Sequence, residues 1–230
     1  MKNLDITRLN VAVDRLLDVT ENPRHRFLLM AYARHRALEV AGRYEEIFAP
    51  DMMAPRAVYH LTVGGNDAIF SGYDQIKSLY RMWAQTNQTA FYIETEEVSV
   101  SDHYVTSVST AYQQISGKSL RANKLLGVLP KFISRRLLDR ALSQDKHQAD
   151  DNDMYLHKFV GVQMIWPYDD RGRLLGEDVY EPLHDQSELI RIDAKDVMHT
   201  DRARQLLAPL IKPLPSFDEM VLGKKEPLAA

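Results

Sequence analysis

A handful of residues on strand-like stretches have side chains suited to moving protons. His157, in the run MYLHKFVGVQMIWP, alternates onto one face with Phe159, Gly161 and Gln163. An imidazole among apolar neighbours suits proton removal near neutral pH, so His157 is the first candidate for a general base. Tyr59 and His60 are adjacent on an earlier run, so they point to opposite faces and only one can reach an interior. A phenol with a pKa of about 10 suits hydrogen-bonding a carbonyl or leaving oxygen, whereas the imidazole suits proton abstraction. Both stay open as candidates. Tyr112 lies on a strand expected beside that of His157, near Ser109 and Gln113, and either Glu177 or Glu181 could orient a histidine or act as a base.

Other chemistries lose support. The chain has no phosphate-binding Gly-rich loop with a Lys-Ser/Thr end, no dinucleotide glycine fingerprint, no His-Glu-x-x-His and no Gly-x-Ser-x-Gly. His25, His35, His103, His147, His184 and His199 fall on expected helices, turns or tails at spacings that make no metal set. Neither metal nor cofactor is therefore expected. Without cysteine there is no disulfide framework and no thiol nucleophile.

The elements that must position these residues follow from periodicity. With 45% hydrophobic and 27% charged residues, 230 residues can build a sizeable core. The net charge of −3, spread over both signs, carries no nucleic-acid footprint. Charges at Asp5, Arg8, Asp14 and Arg15 interrupt the N-terminal apolar residues, and no stretch is apolar enough to span a bilayer, so a cytoplasmic protein with no membrane partner is expected. Residues 4 to 19 read as a short amphipathic helix. A second helix, from about His25 to Phe48, sets Met30, Ala33, Ala37, Val40 and Ile47 against a polar side of His35, Glu39, Arg43 and Glu46, with Tyr32 and Arg36 at the edge of the apolar stripe.

A strand from Ala57 to Val63 breaks at Gly64-Gly65-Asn66-Asp67, and Ser71 opens a helix with Asp74 in capping-box position and Ile76, Tyr80 and Trp83 on its apolar face. Two hairpins follow, Phe91 to Val100 with Tyr104 to Ile115, and Met154 to Pro167 with Arg173 to Glu181. Between them, residues 116 to 153 form an insertion. Its Leu125, Val128, Phe132 and Leu137 interleave with Lys131, Arg135 and Arg136, a basic amphipathic helix that could pack on its own domain, cover a pocket, meet a second subunit or touch an anionic membrane surface. A helix at Asp193 to Ala208 and a loose tail end the chain.

In this order, Phe48-Ala49-Pro50-Asp51, the strand Val58 to Val63 and Phe70-Ser71-Gly72-Tyr73-Asp74-Gln75-Ile76 resemble the NTF2-like superfamily, which includes SnoaL-like cyclases, scytalone dehydratase and ketosteroid isomerase. The resemblance covers roughly residues 25 to 114 and 154 to 182. It implies an α+β cone in one domain over 1–230, a strongly curved antiparallel sheet wrapped around N-terminal helices, with a C-terminal helix and tail over 183–230. Against the dehydratase pattern, Arg36 falls opposite a cavity-facing tyrosine and Tyr59 opposite a tyrosine used at the substrate. The turn at Gly172 brings the His157 face into register with the family's inward one. The dehydratase histidines fall at about Phe91 and Ile115, so that mechanism does not carry over.

The implied site has His157, Tyr59, His60 and Arg36 as catalytic groups and Tyr32, Tyr112, Phe91, Phe159, Gln163 and Glu181 at the substrate. The implied activity is a cofactor-independent lyase or isomerase working by acid–base catalysis on a small hydrophobic, aromatic substrate, by dehydration or by release of formaldehyde from a lignin-derived diaryl compound. The alternative is a non-catalytic ligand-binding or dimerisation module. A homo-oligomer, dimer or trimer, is the implied assembly.

Overall fold

The computed structural model describes residues 4–63, 66–121 and 153–223. Helix α1 is Val11–Val19, α2 is Pro23–Val40 and α3 is Gly72–Gln85. Seven strands, β1 (Met53–Val63), β2 (Asn66–Ser71), β3 (Phe91–Val100), β4 (Tyr104–Ser116), β5 (Met154–Pro167), β6 (Leu174–Tyr180) and β7 (Glu188–Ile192), make one sheet. Its order is β2-β1-β6-β5-β4-β3, and β7 pairs with the N-terminal half of β5.

Both expected hairpins form, β3 with β4 and β5 with β6. The sheet is mixed, however. After β2 the chain passes through α3 and three further strands before β6 returns along β1 in the same direction, placing Glu177 beside Tyr59. Two strands were not legible: the β1–β2 hairpin, where a break leading straight into a helix was expected, and β7, in what was expected to be a helical tail.

The start of α2 follows its residues. Asn22 accepts from the backbone N–H of Arg24 and His25, and Pro23 occupies the first turn, where a missing N–H costs nothing. The helix stops well before Phe48, because Gly42 adopts φ 64° and the chain re-forms as a 3-10 turn over Tyr44–Phe48. Nor does α2 keep a solvated side. His35 (2% exposed) and Arg36 (5%) are buried alongside Phe27, Leu28 and Leu38, because the sheet covers one flank while α1 and the segment around Ile211–Phe217 pack near the other. At α3, Ser71 makes no side-chain cap; Gln75 instead reaches back to accept from the Ser71 N–H at 2.9 Å.

A bulge in β5 decides which side chains face inward. Ala111 pairs with Phe159 but Ser109 with Val162, so Val160 and Gly161 together oppose Thr110, and Gly161 takes φ 65°. Phe159 faces in before the bulge, and Val162, Met164 and Trp166 face in after it. Phe27, Tyr32, Tyr59, Ile76, Tyr80 and Trp166 form the main core between helices and sheet.

Among the described residues no helix is long and apolar enough to cross a membrane. The basic stretch from Leu125 to Arg140 lies outside the described residues. The expected loose tail is partly anchored: Phe217 meets Phe27 edge-on, ring centroids 5.0 Å apart.

The parallel β1–β6 contact depends on Gly176, where an added Cβ would lie 1.9 Å from the Val58 carbonyl oxygen. Replacing Gly176 with alanine must push the two strands apart, at a cost of about 1–3 kcal/mol. A thermal melt is expected to fall by roughly 2–4 °C per kcal/mol; an unchanged Tm would mean that β1 and β6 do not touch in this register.

Candidate active site

Between α2, α3 and the inner face of the sheet lies a chamber of about 80 Å³. Its walls are mostly apolar: Leu61 and Val63 of β1, Trp83 of α3, Phe91 of β3, Phe159, Val162, Met164 and Trp166 of β5, and Val179 of β6. The indole N–H groups of Trp83 and Trp166 find no acceptor among the described residues. Into this apolar lining project Arg36 and Glu39 from α2, Tyr59 from β1, Gln113 from β4 and Glu177 from β6. Few polar groups converging in an apolar cavity is the usual composition of a ligand site.

Arg36 and Glu39 lie three residues apart and so share a helix face. The Arg36 Nη1 lies 3.0 Å from Glu96 Oε1, and the guanidinium carbon sits 4.8 Å from the Tyr32 ring centroid. Burial disfavours the Arg36 charge, but Tyr32, Glu96 and Glu39 outweigh it and hold the guanidinium above its ordinary range. Tyr32 itself lies behind Arg36, fully buried, its hydroxyl donating to Ser107 at 3.2 Å.

The two chamber carboxyls are governed mainly by desolvation. Burial lifts Glu39 from 4.5 to about 7, with Arg36 pulling the other way. Burial also pushes Glu177 well above 4.5, reinforced by the nearby Glu39 and opposed by Arg36. Neither carboxyl has a hydrogen-bonding side-chain partner among the described residues. The Tyr59 phenol, 1% exposed, is driven well above 10 by burial and by Glu177, and its oxygen lies 2.9 Å from Tyr80 Oη. Tyr80 in turn lies 2.9 Å from His35 Nε2, whose pKa burial lowers to about 3.

The residues singled out in the sequence divide sharply. Arg36, Tyr59, Phe91 and Phe159 meet in the chamber. His60 does not: it is on the outer face of β1, its Nδ1 2.7 Å from Asp178, because the inward parity belongs to Tyr59, Leu61 and Val63. Gln163 is exposed on the outer face, because the bulge at Gly161 reverses the parity that would have aligned it with His157 and Phe159. Tyr112 points to the face opposite the chamber-lining Gln113, donating to Glu94 at 3.0 Å.

His157 is 1% exposed and shares a face of β5 with Phe159, ring centroids 4.2 Å apart, but does not line the chamber. Its Nε2 is 3.8 Å from Glu181 and neither ring nitrogen makes a hydrogen bond among the described residues; burial holds its pKa below 6.5 against the pull of Glu181. Glu181 accepts from the Ser187 hydroxyl.

Sequence reasoning missed Glu39 and His35, both assigned to a solvated side, and gave no part to Glu96 or Tyr80. One signal was present: Tyr32, Arg36 and Glu39 recur at helical spacing along α2. Among the described residues no group of three or more His, Asp or Glu could hold a metal ion.

The raised Glu39 pKa has a signed consequence for stability. Its folded value, about 7, exceeds the ordinary 4.5, so the stabilisation is full below pH 4.5 and disappears as pH rises through 7. Glu39→Gln removes that loss: wild type and variant should melt alike at pH 4.5, and the variant should melt higher at pH 8. A Tm difference that does not change with pH would contradict burial of an ionisable Glu39.

No family model matches the sequence, and no curated protein matches it. Among solved structures, the chain is similar to an NTF2-like protein from Anabaena variabilis, at TM-score 0.42 and 10% identity, covering 70% of this chain and 92% of that one. It is also similar to a phenazine biosynthesis-related protein from Pseudomonas aeruginosa, at TM-score 0.35 and 10% identity, covering 78% and 79% respectively. A curved, mixed seven-stranded sheet folded over α2 and α3 is consistent with an NTF2-like cone.

Proposed function

We propose that the chamber is the active site of a cofactor-independent lyase or isomerase acting by acid–base catalysis on a small, largely apolar substrate. One observation carries this reading: Glu39, held by burial at about 7, faces an apolar chamber with no hydrogen-bonding side-chain partner among the described residues. A carboxyl poised there can accept a proton in one step and return it in the next at neutral pH. Glu177, kept protonated by burial, is the complementary acid. Arg36, locked by Glu96, places a fixed positive charge where negative charge would develop on substrate oxygen.

The same groups serve three related reactions. In a dehydration, Glu39 takes a C–H proton, the C–O bond breaks, and Glu177 protonates the departing hydroxyl to give water. In an isomerisation, the proton taken by the base is returned to another carbon. In a retro-aldol loss of formaldehyde, the base takes the hydroxyl proton, the C–C bond breaks, and the acid protonates the resulting carbanion. An aromatic substrate is favoured by Trp83, Phe91, Phe159 and Trp166. The volume of about 80 Å³ suits a one-ring compound more than a two-ring diaryl, which would have to displace the walls. That small volume is also what favours the second reading, a non-catalytic binding pocket.

A panel of one-ring β-hydroxy carbonyl and aryl diol compounds, followed by proton NMR in deuterated water, separates the two. Turnover or deuterium incorporation is expected, with an ascending pH limb near 7 and a loss of about 10²–10⁴-fold in Glu39→Gln and in Glu177→Gln. Binding with neither turnover nor exchange would leave only the pocket; full activity in both variants would remove the carboxyls from the mechanism.

A further inference from the structure

His35 and Tyr80 take no direct part in that chemistry, yet both are buried and polar, and they connect α2 and α3 to the chamber through Tyr59. The connection is a chain: His35 Nε2 to Tyr80 Oη at 2.9 Å, Tyr80 Oη to Tyr59 Oη at 2.9 Å, with Tyr59 Oη itself 3.5 Å from His35 Nε2. Such a chain can run in either direction, and the direction decides whether Tyr59 offers the chamber a hydrogen or only lone pairs.

The surroundings choose. Buried His35 is neutral and so carries one N–H. Nδ1 makes no hydrogen bond among the described residues, and His35 does not line the chamber. A proton on Nδ1 meets no protein acceptor among the described residues, whereas a proton on Nε2 is donated to Tyr80. Tyr80 then donates to Tyr59, and the one unspent hydrogen is that of the Tyr59 hydroxyl, on a residue that lines the chamber.

We infer that His35 and Tyr80 are positioning residues that polarise the chain outward, making Tyr59 a hydrogen-bond donor to a ligand oxygen in the chamber. The ligand class is a compound carrying a carbonyl or anionic oxygen beside an apolar body. Arg36 supports the same oxygen: Glu96 engages only its Nη1, and among the described residues no other group accepts from the rest of its donor fork. The ligand class rests on the chamber being a ligand site, as proposed above; the polarity of the chain does not.

Two measurements test it. In a long-range ¹⁵N–¹H correlation spectrum, with the His35 signals identified by their loss in His35→Gln, His35 is expected as the Nε2–H tautomer. An Nδ1–H tautomer would overturn the inference whatever the chamber binds. Binding of 4-nitrophenolate, followed by its absorbance, is expected to weaken about tenfold in Tyr59→Phe and in Tyr80→Phe. It should stay within about twofold of wild type in His35→Gln, which keeps an N–H donor toward Tyr80, and weaken in His35→Leu, which does not. Equal affinity across all four variants overturns the donor role. A wild-type chamber that takes no probe counts against the proposed ligand site and leaves the tautomer to decide the chain.

Discussion

The structure depends on a guanidinium kept out of water. Arg36 sits in the interior with only 5% of its surface exposed, which is tolerable because Glu96, from the opposite wall, supplies the counter-charge and Tyr32 the ring face. Leaving such a charge unpaired costs about 3–5 kcal/mol, so α2 and β3 cannot drift apart without losing much of a domain's net stability. The pair therefore pins the helix to the sheet at the depth where the chamber begins.

That same depth accounts for the chamber's chemistry. Glu39 and Glu177 see the positive charge of Arg36, but it is already matched by Glu96, so desolvation dominates and both carboxyls are displaced toward the neutral form. An unpaired arginine would have held them ionised. A paired one leaves both carboxyls displaced upward by burial. The unusual groups are thus products of one arrangement: a neutralised ion pair, two carboxyls with no hydrogen-bonding side-chain partner among the described residues, and an apolar lining.

Two backbone features place the remaining side chains. The parallel contact of β6 with β1, which Gly176 makes possible, sets Glu177 next to Tyr59. The bulge at Gly161 lets β5 present Phe159 at one end and Trp166 at the other on the same wall, at the cost of turning Gln163 outward. Beside Phe159, His157 and Glu181 form a second buried polar pair, in which neither imidazole nitrogen makes a hydrogen bond among the described residues. The Tyr59–Tyr80–His35 chain ties the chamber to the packing of α2 on α3.

Local patterns in the sequence determined the hairpins over 91–115 and 154–181 and the helix beginning near Ser71, because alternation and helical spacing are properties of neighbouring residues, whereas Arg36 and Tyr59 were singled out through the family resemblance. Tertiary structure alone decided whether Tyr59 or His60 faces inward, since a two-residue period identifies two faces without saying which is covered. It likewise decided Gln163, because a one-residue bulge inverts everything beyond it, and Glu39 and His35, because α2 is covered on more than one flank, which buries His35 and leaves Glu39 only partly accessible. Burial is set by what the rest of the chain lays over a face, and that information is not held in the stretch itself.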